Sequence, residues 1–175
     1  MTDQSARLIQ SLWNSAAQSD PAEFDRIQND LDKYDQLNRF DELNREVKVL
    51  ARREQSFLRR LLFQDREKGY CVICGEELPV SLLVAAHIKP RAYCTDEERR
   101  DYINNVAPMC LLGCDALFER EIIIVEDGKI SVRINYDEAD WLGKLLKRLD
   151  GNAILSWEQG RQKYFRWKAD QTITE

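Results

Sequence analysis

Histidine is almost missing from this sequence: among 175 residues only His87 is one. Glycine and proline are also scarce, with seven and four, and residues 22–68 contain neither. A stretch that long without a breaker favours continuous helix. No apolar run approaches the roughly 20 residues of a membrane span. The opening "MTDQSARLIQSLW" has no basic segment followed by an apolar one, so a secretory leader is not expected and a cytoplasmic setting is. An excess of positive charge is missing too. Lys plus Arg number 26 against 31 Asp plus Glu, a net charge of −5. That argues against coating nucleic acid by bulk electrostatics while leaving room for a local basic patch.

What the sequence does hold divides near residue 69. Residues 1–68 read as a helical arm. Asp20 precedes Pro21, and Glu23 and Asp25 follow in the first turn, a strong helix start. Phe24, Ile27, Leu31 and Tyr34 form one apolar stripe; Leu43, Val47, Leu50, Phe57 and Leu61 form a second. The two do not share one register, so "NRFDELN" at 38–44 is either a stutter or a turn between helices. Such an arm suits packing on its own domain, a dimerising coiled coil, or docking to a protein partner.

Residues 69–175 have a different texture. "SLLVAAHI" reads as a short buried strand closed by Pro90. "RAYCTDEERRDY" reads as a loop or helical turn, and "NNVAPMC" as extended chain opened by Asn105. "CDALFER" starts a helix. "EIIIVEDGKISVRI" is a hairpin pattern turning at Asp127-Gly128. "DEADWLGKLLKRLDG" is an amphipathic helix ending at Gly151, and the aromatic tail "SWEQGRQKYFRWK" packs back on the core.

Four of the five cysteines fall in two chelating pairs, Cys71-x-x-Cys74 and Cys110-x-x-x-Cys114; Cys94 stands apart. Zinc takes four tetrahedral ligands and thiolates suit it, so these four predict a closed structural Zn²⁺ site. Four buried apolar cysteines are the alternative. The three-residue spacer predicts Cys110 and Cys114 within one turn at a helix start.

Between the pairs lie His87 and Asn105, and Asp115 follows Cys114. A neutral imidazole takes a proton from water near neutral pH. A carboxylate holds a hard divalent cation such as Mg²⁺. An amide orients the imidazole or joins the metal's shell. Water attacking a metal-bound phosphate is the reaction this set fits best.

The stretch from Cys71 to about Ile123 resembles the HNH endonucleases, the ββα-metal nucleases with a four-cysteine zinc staple. The resemblance rests on "AAHIKP", on Asn105 five residues ahead of the second cysteine pair, and on Asp115 of "GCDALFE". It implies an α+β fold: a ββα-metal core with a structural zinc site, preceded by the helical arm and followed by a hairpin and helices. It implies a DNA phosphodiester hydrolase with His87 as general base, Asn105 positioning His87 or the metal, and Asp115 binding catalytic Mg²⁺ or Mn²⁺. It also implies a bacterial or antiviral defence setting. Three positions depart from the pattern. Ala86 stands where an acid ligand is frequent, Asp115 stands where His is usual, and the second cysteine pair has one extra spacer residue. Asp at 115 shifts the site toward oxygen ligation and Mg²⁺. Glu119, four residues on, is a weaker ligand candidate on the same face.

For DNA, Lys89, Arg91, Arg99 and Arg100 cluster near the motif, and Arg52, Arg53, Arg59 and Arg60 precede it. Contacts to phosphate without base readout are expected. Two other readings remain open: a zinc-ribbon binding module without catalysis whose helical arm does the work, and a nicking or RNA-directed enzyme with the same site.

Overall fold

A computed structural model describes residues 43–171 together with residues 22, 25, 26, 29 and 30. The first apolar stripe, Phe24 to Tyr34, and most of the 38–44 join lie outside the described residues. Helix α1 spans Leu43–Phe63. Its last two turns do not project as an arm: Phe57, Leu58, Leu61, Leu62 and Phe63 are buried in the same core as the cysteine-bearing segment. Each buried side chain of this kind contributes about 1.5–3 kcal/mol, so the end of α1 is part of the body that follows residue 68.

Three antiparallel pairs follow. Strands β1 (Lys68–Tyr70) and β2 (Glu77–Pro79) flank the first cysteine turn. Gly75 takes φ +74° there, and its N–H donates to Cys71 O at 2.9 Å, so the chain reverses between Cys71 and Glu76. Strands β3 (Leu83–His87) and β4 (Val106–Cys110) pair from Leu83 opposite Cys110 to His87 opposite Val106. Their connection holds two short helices, α2 (Asp96–Arg100) and α3 (Tyr102–Asn105). Asn105 therefore ends a helical turn and does not open the strand, because α3 runs directly into β4. Thr95 and Glu98 close a reciprocal capping box on α2, a pairing that satisfies two otherwise orphaned amides.

Helix α4 (Cys114–Glu119) completes a ββα unit. Strands β5 (Ile123–Glu126) and β6 (Lys129–Val132) form the hairpin that Asp127-Gly128 predicts, with φ of +47° and +79° at the two turn residues. A side chain at Gly128 would also meet the Trp157 ring at 2.8 Å. Helix α5 (Trp141–Leu149) starts where the Asp140 carboxylate accepts from Gly143 N at 2.6 Å. Helix α6 (Gln159–Ala169) packs against β5 and α3. Its Tyr164 and Phe165 are fully buried, as the aromatic tail predicts.

Candidate metal centre and adjoining cleft

The four sulfurs come from three places. Cys71 and Cys74 sit in the turn between β1 and β2, Cys110 ends β4, and Cys114 begins α4. Cys110 and Cys114 are thus not both helical. The extra spacer residue is taken up by a loop in which Gly113 has φ +141°. All four Sγ atoms lie within 4.8 Å of one another. Four sulfurs at about 2.3 Å from a tetrahedral zinc stand about 3.8 Å apart, so the cluster fits that ion. The Cys110 N–H donates to Cys71 Sγ at 3.3 Å, the kind of outer contact that steadies a thiolate ligand. The thiols also polarise each other. A hydrogen bond from Cys114 pulls the Cys110 thiol far down, and the same bond pushes Cys114 up. A cation replaces that proton sharing with ligation.

A separate cleft of about 370 Å³ opens on the other chemistry. Ala86 and His87 line it from β3, Arg91 from the following loop, Asp115 and Glu119 from α4, and Lys168 from α6. His87 and Asp115 are thus brought together, with Glu119 beside them. Ala86 stands in the same wall, so the position where the family resemblance expects an acid does face this cleft. Burial lowers the His87 pKa from its ordinary value, Glu54 opposes this, and Arg91 adds to it. Burial therefore favours the neutral imidazole, the form that can accept a proton. Burial raises the Asp115 carboxyl, and Glu119 raises it further.

Asn105 does not line this cleft. Only 1% exposed, it faces the loop after His87: Oδ1 accepts from Lys89 N at 2.8 Å, while Nδ2 donates to Lys89 O at 3.1 Å and to Cys94 Sγ at 3.3 Å. Asn105 O also accepts from Ile88 N at 2.7 Å. It fixes the backbone on which His87 and Arg91 are mounted. Its neighbour Asn104 turns away, donating to Asp101 Oδ1 at 2.7 Å and packing against Gly160. Cys94 donates to the Lys89 and Pro90 carbonyls, each at 3.5 Å. Its thiol is raised by burial, so the fifth cysteine is a structural group of the same loop.

The basic residues expected to meet phosphate divide. Lys89 is 7% exposed; its Nζ holds Glu98 at 2.6 Å and lies 5.2 Å from the Trp167 ring centre. It is a buried cation held inside its own loop and does not line the cleft. Arg99 pairs with Asp96 at 3.6 Å, and Arg100 with Asp25 at 2.9 Å and Asn29 at 3.0 Å. Arg59 donates to the Leu83 and Val80 carbonyls and so fastens α1 to β3. Arg91 alone of the four near the motif lines the cleft.

Residues 71–126 match the family model of HNH endonucleases. The matched span runs from Cys71 to the end of β5 and includes His87, Asn105 and Asp115. No curated protein matches the chain. The mixed α+β fold and four-cysteine group accord with an HNH core, and the family supports a nuclease-type function on nucleic acid. No helix among the described residues is long and apolar enough to cross a membrane.

Two residues outside the matched span escape the sequence reading: Lys168, which lines the cleft, and Glu54, which lies beside His87. Lys168 is 2% exposed, donates to Glu119 O at 3.4 Å, and has its pKa lowered by burial. Its signal was a lysine inside an aromatic helix stripe. Glu54, 5% exposed, lies 3.8 Å from both His87 Nε2 and Arg91 Nε. Its signal was sharper. It occupies the gap in the stripe Leu50, Phe57, Leu61, four residues after Leu50 and three before Phe57, where an apolar side chain belongs.

Proposed function

We propose that this protein is a metal-dependent HNH endonuclease that hydrolyses DNA phosphodiester bonds. The observation that carries the reading is one cleft lined by His87 and Asp115 and distinct from the four-sulfur cluster. His87, held neutral by burial, takes the proton from the attacking water. Asp115 would hold the divalent cation, with Glu119 supplying the oxygen that Ala86 cannot. Bound there, Mg²⁺ or Mn²⁺ supplies charge stabilisation at the phosphate and leaving oxygen. Arg91 and Lys168 add positive charge in the same cleft and suit a phosphate's non-bridging oxygens. Asn105 acts through the backbone, holding the 88–91 loop. The four cysteines hold structural zinc and take no part in the hydrolysis, since a tetrahedral site filled by four thiolates leaves no open position.

The residues before α1 would dimerise the enzyme or dock it to a partner that decides when it cuts, and a cytoplasmic defence role accords with that arrangement. The test is cleavage of plasmid DNA with Mg²⁺ or Mn²⁺ by the full chain, beside His87→Ala. The wild type is expected to cut and the variant to lose about a hundredfold or more in rate. Equal cutting by the two, or none by either with any metal, refutes the reading.

A further inference from the structure

Glu54 lies on α1, outside the HNH segment, at a position the helix stripe reserves for an apolar side chain. Burying a carboxylate is costly unless it meets partners. The partners here are His87 and Arg91, whose Nε2 and Nε are each 3.8 Å from Glu54 Oε1. The helix that presents it is fastened to the strand bearing His87. Gln55 Nε2 donates to Ala85 O at 3.2 Å, and Arg59 donates to Leu83 O and, at 3.0 Å, to Val80 O. Glu54 thus faces the imidazole from a braced platform rather than from a loop.

We propose that Glu54 is a positioning residue that keeps the His87 ring proton on Nε2, leaving Nδ1 as the nitrogen that accepts a proton. An ionised carboxylate only accepts hydrogen bonds, so the ring nitrogen nearest it carries the hydrogen in the neutral imidazole. The group facing one ring nitrogen thereby sets the chemistry of the other. At 3.8 Å the contact is longer than a hydrogen bond, as catalytic pairs often are before substrate binds. When water gives its proton to Nδ1, the imidazolium that forms faces the Glu54 charge and is stabilised by it. Arg91 shares that carboxylate. The charged groups that line the same cleft as His87, besides Arg91, are Asp115 and Glu119 of α4 and Lys168 of α6. The use of Nδ1 as a base rests on the nuclease reading above; the tautomer does not.

The single histidine makes the test direct. In untagged full-length protein labelled with ¹⁵N-histidine, every imidazole signal belongs to His87. At about pH 8, above the ordinary imidazole value, the wild type is expected in the Nε2–H form. Glu54→Gln is expected to mix the tautomers and to lower the titration midpoint by about one unit, because the nearby negative charge is gone. Glu54→Leu fits the apolar stripe and provides a second, folded variant with the same expected shift. In plasmid cleavage, Glu54→Gln is expected to lose about tenfold in kcat with KM, melting temperature and zinc content unchanged. An Nδ1–H wild type overturns the proposal. So does an imidazole spectrum identical in the wild type and both variants, even if cleavage falls, since Glu54 would then be merely structural. If the spectra shift as expected but the wild type does not cut, the positioning role stands and the nuclease reading fails.

Discussion

Replacing Asn105 with alanine tests the loop anchor most severely. In the native protein its amide spans the Lys89 backbone, accepting from N at 2.8 Å and donating to O at 3.1 Å, and reaches Cys94 Sγ at 3.3 Å. The site is 1% exposed, so water does not replace those partners. Each buried polar group left unpaired costs about 1–3 kcal/mol. Orphaning the Lys89 N–H, and leaving Lys89 O only the weak Cys94 thiol donor at 3.5 Å, therefore costs about 3 kcal/mol. For a protein of this size each 1 kcal/mol moves the midpoint by about 2–4 °C, so Asn105→Ala should melt about 6–12 °C lower. Asn105→Asp should do no better: it keeps the acceptor for Lys89 N but turns a second acceptor on Lys89 O. Zinc content should be unchanged, since the four sulfurs do not touch this loop. Thermal unfolding followed by circular dichroism, with metal analysis alongside, reads all three. Melting of either variant within about 2 °C of wild type would refute the assignment of Asn105 as the anchor.

Cys110→Ser should lose bound zinc and unfold at far lower temperature, and a strong chelator should do the same to the wild type; a chelator-resistant melt together with a stable variant would exclude a structural ion. Because burial lowers the His87 pKa below its ordinary 6.5, cleavage should hold its plateau below pH 6.5 and fall only as pH drops through the depressed value; an acid limb above 6.5 would contradict this. The sign for stability is the same: the unfolded chain binds the extra proton first, so stability falls as pH drops below 6.5. Lys168→Met should raise KM for DNA several-fold while leaving the melting temperature level or higher, since a buried ammonium carries a desolvation cost; an unchanged KM would remove Lys168 from phosphate binding.

The parts of the fold that were legible in sequence are those fixed by short-range chemistry. Asp127-Gly128 could adopt the positive φ of a tight hairpin, Pro90 closed the strand bearing His87, and two close cysteine pairs could converge on one point. What stayed hidden depends on partners far along the chain. Nothing local says that Lys89 will be covered by Glu98 and Trp167, or that Arg59 will lie on the Leu83 carbonyl instead of on solvent. Asn105 was visible as a candidate, but its choice between the ring of His87 and the backbone of Lys89 is decided by α3, a single helical turn that the polar text "RDYINN" did not announce. Glu54 was the most readable omission, since a carboxylate interrupting an apolar stripe is a local conflict with a functional explanation.

The packing of α1 and α6 bears on how the segment that matches the family could be moved between proteins. The portion that matches the family, residues 71–126, carries the cysteines and the histidine. Its hydrophobic surface, however, shares one core with Phe57, Leu58 and Leu61 of α1 and with Tyr164 and Phe165 of α6. Its cleft takes Lys168 from the far end of the chain. A graft confined to the recognisable third would carry the four cysteines with a raw apolar face and a cleft lacking Gln55 and Lys168. The shared core therefore runs from the docked turns of α1 into α6, and a graft that keeps it covered needs both.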